Sequence, residues 1–534
     1  MSQLLRRLGL RANPFATLSA ELEPDIDQYF IRPPYYRYVN ERGLRCQTFI
    51  LFGERGSGKS ATRLTLKNEG WKKIQNNSEN AALPVTLDDY SEILSRGIRN
   101  VAVGDFVRRV CFLTVEAVFV WLAALSSSDR EVFVDGLDED ETKLVVSVIR
   151  EFYLPVPELA RRVSTRQALE LLNQAWRLRT RLWAEHRWDA LISVVASIAS
   201  SIGRKVADVD MPLEEHVGKL VGSPAGKGVD VSIFARASLQ RVVDFVRLFG
   251  FNGIMVLVDK VDETPSTDKS AQATAELLHP LLSNTQLLEI DGLGWVFFLW
   301  DKVNDLYSDN GPLTVRLDKI SNTTIRWEVS SLRALIAQRL QYFSDGEVQS
   351  FSDICDGHID AEEAVESMIS LAMSSPRELV RIMDTVLREH EQVHDDSNDT
   401  PLVSLASIEG ALDRYVSERV KEIYKPEILR QVIRLNQMTF VNKDVQARFR
   451  VNDSSARNRI KKWEDSGVIV HTGSRRAEGV ATAGGKPAFQ YTVIDQRVRR
   501  ILDREIHLGE QFEFDFDEDE GEESDGEEGE GEDN

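Results

Sequence analysis

Residues 53–60 read Gly53-Glu54-Arg55-Gly56-Ser57-Gly58-Lys59-Ser60, a gapless G-x-x-x-x-G-K-[ST] pattern, and nothing else in the chain restricts its fold as tightly. Such a loop works only where a buried strand feeds it and a helix leaves it, because backbone N–H groups and a helix N-terminus must converge on one phosphate. The flanks fit this requirement. Cys46–Phe52 is a β-branched and aromatic run that stops at glycine, as a buried strand does, and Ala61–Lys67 continues in helix-compatible residues. Gly53, Gly56, Ser57, Gly58, Lys59, Ser60 and Ala61 are therefore expected to cradle ATP. Lys59 would reach the β- and γ-phosphates, and Ser60 would hold Mg2+.

A loop of this kind needs a second strand ending in an acid for the metal. Ile254–Val258 followed by Asp259 supplies one, and Asp262 or Glu263 just beyond is expected to orient or deprotonate the attacking water. Lys59 and Asp259 lie 200 positions apart, more than a compact nucleotide-binding core requires. Leu83–Leu87 reads as the next core strand, and a helical insertion is expected over about residues 100–250. Within it Leu171, Ala175, Leu178 and Leu182 recur at helical spacing, with Leu172, Trp176 and Trp183 beside them. Trp121, Trp176, Trp183 and Trp188 are four of the nine tryptophans, so this segment reads as packed helices whose surface offers a place for a protein partner.

Gly294–Trp300 is another buried-strand run, ending at Asp301, and Ile325–Trp327 reads as a last strand before a helix over Ser331–Tyr342. Ser375-Pro376-Arg377-Glu378-Leu379 begins a helix with proline in its first turn and Val380, Met383, Val386 and Leu387 as its apolar face. His390-Glu391-Gln392-Val393-His394 satisfies HExxH. Its neighbours Arg388, Glu389, Asp395 and Asp396 are wrong for a dry zinc site, so a solvated helix end is expected instead.

A helix over Leu402–Tyr424 precedes a different pattern. Pro426–Met438 opens a new unit, Asn442–Arg448 reads as a short helix, and Asp453 or Ser454 as the cap of a third helix reaching Trp463. Ala456, Ile460 and Trp463 share one face of that helix, leaving Arg457, Asn458 and Lys461 elsewhere. Val468–His471 and Ala488–Val493 read as two strands joined by a loop with Gly473, Arg475, Arg476, Gly479, Gly484, Gly485 and Lys486. Three helices and a β-ribbon form the winged-helix plan, with Arg457, Asn458 and Lys461 directed at the major groove of duplex DNA and Arg475 and Arg476 at its backbone or minor groove. Protein docking is the alternative use of such a module.

Charge distribution supports this division. The chain carries 86 acidic and 65 basic side chains, net -21, but residues 510–534 alone hold fifteen acids and no Lys or Arg. Removing them leaves 71 against 65, or -6, for the other 509 residues, while residues 440–500 hold thirteen bases against six acids, a local +7. A segment of alternating Phe512, Phe514 and Phe516 followed by acids and glycine cannot bury enough apolar surface to fold alone. It is expected to be a solubilising tail or an internal DNA mimic. Cys46, Cys111 and Cys355 show no CxxC spacing, and no apolar stretch reaches the ~18–20 residues of a membrane span. With no secretory signal visible at residues 1–12, a cytoplasmic protein is expected.

The order of glycine loop, acidic strand, polar-tipped strand, Ser-Pro-Arg helix and winged helix resembles the replication-initiator (origin-recognition) branch of the AAA+ P-loop ATPases. The resemblance implies an α/β P-loop core with a parallel sheet, a helical insertion, a helical lid and a C-terminal winged helix. Residues 1–45 would then be a lead-in, 46–330 the core, 331–425 the lid, 426–503 the winged helix and 504–534 a tail. It further implies Arg377 as a second sensor, Arg316 as the arginine reaching a neighbour's γ-phosphate in a homo-oligomer, and Asp301 or Asn304 as a first sensor. Asn13-Pro14-Phe15 and Tyr29-Phe30-Ile31-Arg32-Pro33-Pro34-Tyr35 look like the adenine-cradling lead-in of related bacterial P-loop ATPases. Two departures stand out: Lys260 occupies the position of the usual catalytic Glu, and Asp301 that of the usual Asn. Asp259-x-x-Asp262-Glu263 is closer to the STAND (NACHT-type) signalling ATPases. The expected function is ATP-dependent assembly on duplex DNA with slow hydrolysis. The alternatives are a STAND-like signalling or defence switch triggered through the insertion, and a DNA-binding regulator that holds nucleotide without turnover.

Overall fold

The computed structural model describes residues 3–23, 25–75, 81–126, 128–129, 132–133, 136–153, 155–156, 231–308, 311–394, 402–475 and 488–509. The helical pattern at Leu171–Leu182 with Trp176, Trp183 and Trp188, the glycine-rich loop with Arg476, Asp395 and Asp396, and the acidic segment all lie outside the described residues. The chain divides into two compact units, Thr17–Ser331 and Met1–Ala16 with Leu332–Asn534.

The first unit is built on five parallel strands in the order β2-β3-β4-β1-β5: β1 (Phe49–Gly53), β2 (Ala82–Leu87), β3 (Gly253–Val258), β4 (Leu293–Trp300) and β5 (Ser321–Thr324). Register is continuous across the centre, with Phe49 opposite Val296 and Val256 opposite Trp295. A parallel sheet must be covered on both faces, and the side-chain period of two sorts its residues into two cores. Phe49, Leu51, Met255, Leu257, Val296 and Phe298 pack with Tyr35, Tyr36 and Val39 of α1 (Pro34–Leu44) and Leu66 of α2 (Lys59–Gln75). Ile50, Phe52, Leu83, Val85, Ile254, Val256, Trp295 and Phe297 pack in the other core. The helices there are α3 (Val103–Ala124), α5 (Val231–Leu248) and α6 (Ala271–Leu282), with α4 (Glu139–Val148) at the margin. Thus both described flanks of the expected 100–250 insertion belong to the sheet's own core. Trp121 packs edge-on against Phe133, Phe249 and Phe251.

The last strand is not at Ile325–Trp327, as its apolar character suggests, but four residues earlier at the polar Ser321–Thr324. This edge strand alternates half-buried and exposed residues and needs no apolar run. Ile325 donates its N–H to Phe52 O at 2.7 Å, and Trp327 is released to pack elsewhere.

The second unit contains α8 (Val329–Phe343) from Leu332 onward, α9 (Ala361–Leu371), α10 (Pro376–His394) and α11 (Leu405–Ile423); α7 (Lys302–Tyr307) belongs to the first. Helix α10 buries Leu379, Met383, Val386 and Leu387, and Glu378 accepts from Tyr415 Oη at 2.8 Å and Arg419 Nε at 2.9 Å. His390 is not at a solvated end: it is 0 % exposed, with Nδ1 3.3 Å from Ser407 Oγ, because α11 covers that face. Asn13 and Pro14 also belong here, since Asn13 Nδ2 donates to Asp384 Oδ1 at 2.7 Å and Pro14 O accepts from Arg339 at 2.8 Å.

Beyond α11 the order is α12 (Pro426–Leu435), β6 (Thr439–Val441), α13 (Asn442–Phe449), α14 (Asp453–Asp465), β7 (Ile469–Arg475), β8 (Ala488–Val493) and α15 (Gln496–Arg504). The three strands are antiparallel in the order β6-β8-β7. Asn452, one residue before the expected cap, accepts from Ser455 N and starts α14. Trp463 is fully buried between Phe440 and Phe449, its Nε1 donating to Gln431 Oε1 at 2.8 Å. After β8, Asp495 and Arg497 form a buried pair (2.6 Å) that Tyr424 Oη joins at 2.7 Å, and Arg500 on α15 reaches Asp413 and Glu409 of α11. Asp495→Ala would leave Arg497 buried and unpaired; a loss of about 3–5 kcal/mol is expected, read as a lower urea midpoint, with Asp495→Asn losing less.

Candidate functional site

The glycine loop sits at the carboxyl end of β1, where Asp301 N, just past β4, donates to Gly53 O at 3.2 Å. Gly56 and Gly58 adopt φ of 84° and 91°, a region that L side chains enter only with strain, so the two glycines permit the turn. A Cβ on Gly53 would lie 2.5 Å from Ser57 Oγ, which fixes a third glycine by contact. Helix α2 starts at Lys59, aiming its N-terminal amides and positive dipole end at the loop. Trp327 Nε1 donates to Ser57 O at 2.8 Å and braces it from the side. Ser57 Oγ is buried with no hydrogen-bond partner, an unsatisfied group of the kind that a ligand oxygen completes. Lys59, 9 % exposed, folds across the loop and donates Nζ to Gly53 O at 2.8 Å and Glu54 O at 3.0 Å. Ser60 and Ala61 follow in the first turn.

Asp259 directly follows β3 and is 2 % exposed, but it is not alone. Arg63 Nε, one turn after Lys59, donates to Asp259 Oδ2 at 2.8 Å. The same guanidinium reaches Glu21 Oε1 at 2.9 Å, and Asp88 Oδ2 lies 3.6 Å away. Lys260 Nζ also meets Glu21 Oε1, at 3.0 Å, from a left-handed backbone position (φ 58°). Burial pushes the Glu21 carboxyl upward, but Lys260 and Arg63 outweigh it and hold the group at about 2. Ser60 and Asp259 suit Mg2+ by donor chemistry, a hydroxyl and a carboxylate for an oxygen-seeking cation. Oδ1 is the Asp259 oxygen that Arg63 does not engage.

The two expected water-handling acids differ. Asp262 is buried and paired with Arg55, whose Nε lies 3.0 Å from Asp262 Oδ2 while its guanidinium stacks 4.8 Å over Trp300. Glu263 is exposed as a residue, yet its carboxyl is held above the usual range by desolvation and by Asp259 and Asp262. Asp301 uses its carboxylate to cap α7, accepting from Lys302 N at 2.9 Å; Asn304 is half-buried one turn on. Arg316 makes a two-pronged contact with Asp318 (2.8 and 2.9 Å) on the surface. Arg377 lies in the second unit, exposed in the first turn of α10. There too Arg457, Asn458 and Lys461 are exposed on α14, opposite the buried Ala456, Ile460 and Trp463, and Arg457 pairs with Asp453 at 2.7 Å. Arg475 ends β7.

Sequence reasoning missed Arg63, Lys67 and Glu21. Lys59, Arg63 and Lys67 recur at i, i+4 and i+8 and are all buried, 9 %, 1 % and 8 % exposed. That spacing was available as a signal, whereas Glu21 arrives through the fold.

No protein-family model matches this chain, and no curated protein matches it. Fold and site define an α/β protein with a five-stranded parallel sheet, compatible with a P-loop-like core. Among the described residues, no helix is long and apolar enough to cross a membrane, and no group of three or more His, Cys, Asp or Glu is placed to hold a metal ion.

Burial first, and the Arg63 charge second, push Lys67 down to about 8, against a partial pull upward from Asp88. Between that value and its ordinary 10.5 the unfolded chain binds more protons, so the burden of Lys67 is full below about 8 and fades as pH rises to 10.5. Lys67→Met is expected to stabilise the protein by roughly 1–3 kcal/mol at pH 7. Thermal unfolding at pH 7 and pH 10 should show the gain shrinking at the higher pH.

Proposed function

We propose that the chain is an ATP-binding, slowly hydrolysing protein whose nucleotide state governs assembly on duplex DNA. The observation that carries this reading is the left-handed glycine loop between β1 and α2, with its unsatisfied Ser57 hydroxyl and overlying Lys59. The strand order, with the acid-bearing β3 separated from β1 by one strand, supports an AAA+-type core of the replication-initiator kind. Backbone amides of residues 56–61 would bind the β-phosphate, and Lys59 would exchange two loop carbonyls for phosphate oxygens. Mg2+, when bound, would neutralise developing charge on the phosphates. Glu263, with its raised carboxyl, is the better base for the attacking water, since Asp262 is committed to Arg55. Arg377 and Arg316 are proposed as sensor and trans-acting arginine in a homo-oligomer.

Helices α12–α14 with β6, β7 and β8 have the order of a winged helix, and the helices before them serve as a lid in this reading. Arg457, Asn458 and Lys461 then face the major groove, with Arg475 and Arg476 on the wing. Lys59→Ala should abolish binding of a fluorescent ATP analogue and ATP-dependent DNA binding together. Arg457→Ala and Lys461→Ala should each weaken duplex affinity by about fivefold or more and reduce the salt slope by about 1. Duplex binding that ignores both Lys59→Ala and ATP would refute the coupling.

One observation favours a second reading, a STAND-like switch. Lys260 stands where a catalytic acid would be and is tied to Glu21. In that case ATP should change the oligomer mass in light scattering while duplex affinity stays constant.

A further inference from the structure

Arg63 is the most completely buried cation around the loop, and each terminal of its guanidinium goes to a different stretch of chain. Nε meets Asp259 after β3 at 2.8 Å, Nη2 meets Glu21 of the N-terminal segment at 2.9 Å, and Nη1 faces Asp88 after β2 at 3.6 Å. Tyr90 Oη adds a bond to Asp259 O at 2.9 Å, holding the same strand end. The charges around this point are Arg63, Lys260 and Lys67 against Asp259, Glu21, Asp88 and Glu263. One buried guanidinium therefore engages Oδ2 of the acid that a nucleotide-bound Mg2+ would draw upon, and offsets its charge. Two cations that share a carboxylate at low dielectric repel each other strongly, so the pair makes Asp259 a poor additional attraction for a metal.

We propose that Arg63 is a positioning residue that acts as a fixed internal cation at Asp259 and sets the metal requirement of nucleotide binding. It touches no phosphate in this scheme. It neutralises the acidic strand ends so that a triphosphate is accepted with little help from Mg2+. The inference rests on the ATP-binding reading of the glycine loop. Without Arg63, Asp259, Glu21 and Asp88 would face the triphosphate with Lys260 and Lys67 to oppose them, and binding would come to depend on the metal.

The test is the ratio of analogue dissociation constants in EDTA and in Mg2+, measured by fluorescence anisotropy on the full chain. A wild-type ratio within about threefold is expected. Arg63→Gln should raise that ratio at least about tenfold, mainly by weakening binding in EDTA. Arg63→Lys keeps a charge but reaches fewer acids, and should raise it by about threefold. A ratio in folded Arg63→Gln within about twofold of wild type overturns the proposal. If Arg63→Gln does not fold, as judged by near-UV circular dichroism, an unchanged ratio in Arg63→Lys overturns it instead. Lys59→Ala separates the two levels: loss of binding in both buffers upholds the loop while the Arg63 ratios decide the rest. If wild type binds no analogue in either buffer, the loop reading fails and the proposal falls with it.

Discussion

A parallel sheet leaves no face to water, and that constraint organises the first unit. Helices α1 and α2 close one side, α3, α5 and α6 the other, so the strands can end only in loops at the carboxyl edge. Gly53, Asp88, Asp259 and Asp301 all lie at that edge because Phe49–Gly53, Ala82–Leu87, Gly253–Val258 and Leu293–Trp300 run in the same direction. The glycine loop and the acids are gathered by the sheet, without any local sequence proximity among them.

What was legible in the sequence follows from this. Strands β1, β3 and β4 are buried on both faces and read as continuous apolar runs, so their ends, and the site residues there, could be placed closely. The buried face of α14 was equally plain, since Ala456, Ile460 and Trp463 keep helical spacing. Three things were hidden for physical reasons. Ser321–Thr324 is an edge strand whose polar residues give no apolar signal, and the more apolar Ile325 and Trp327 drew the assignment away. Strand β6 has three residues, too few for any period. Arg63 and Lys67 are charged residues at buried positions, and composition places such residues at the surface.

The two acids expected to act on water illustrate how environment separates like groups. Asp262 is absorbed by Arg55, which itself lies over Trp300, so its charge is spent on shaping the loop. Glu263, one residue on, is raised by desolvation and by the carboxylates of Asp259, Asp262 and Glu21, against a downward pull from Lys260. Adjacent positions in a short turn thus acquire different surroundings, one in an ion pair with Arg55 and the other with its carboxyl raised, which sequence alone could not rank.

Strand β8 passes into α15 with only Ile494 and Asp495 between them, and α15 is clamped to α11 by Arg500 and Arg504 on Asp413 and Glu409. No slack exists in that connection. A rotation of α11 would be transmitted to β8 as through a crank, with the buried Asp495–Arg497–Tyr424 joint as its bearing, and the hairpin of β7 and β8 would swing with it. The ribbon is geared to the helical bundle instead of hanging from a tether.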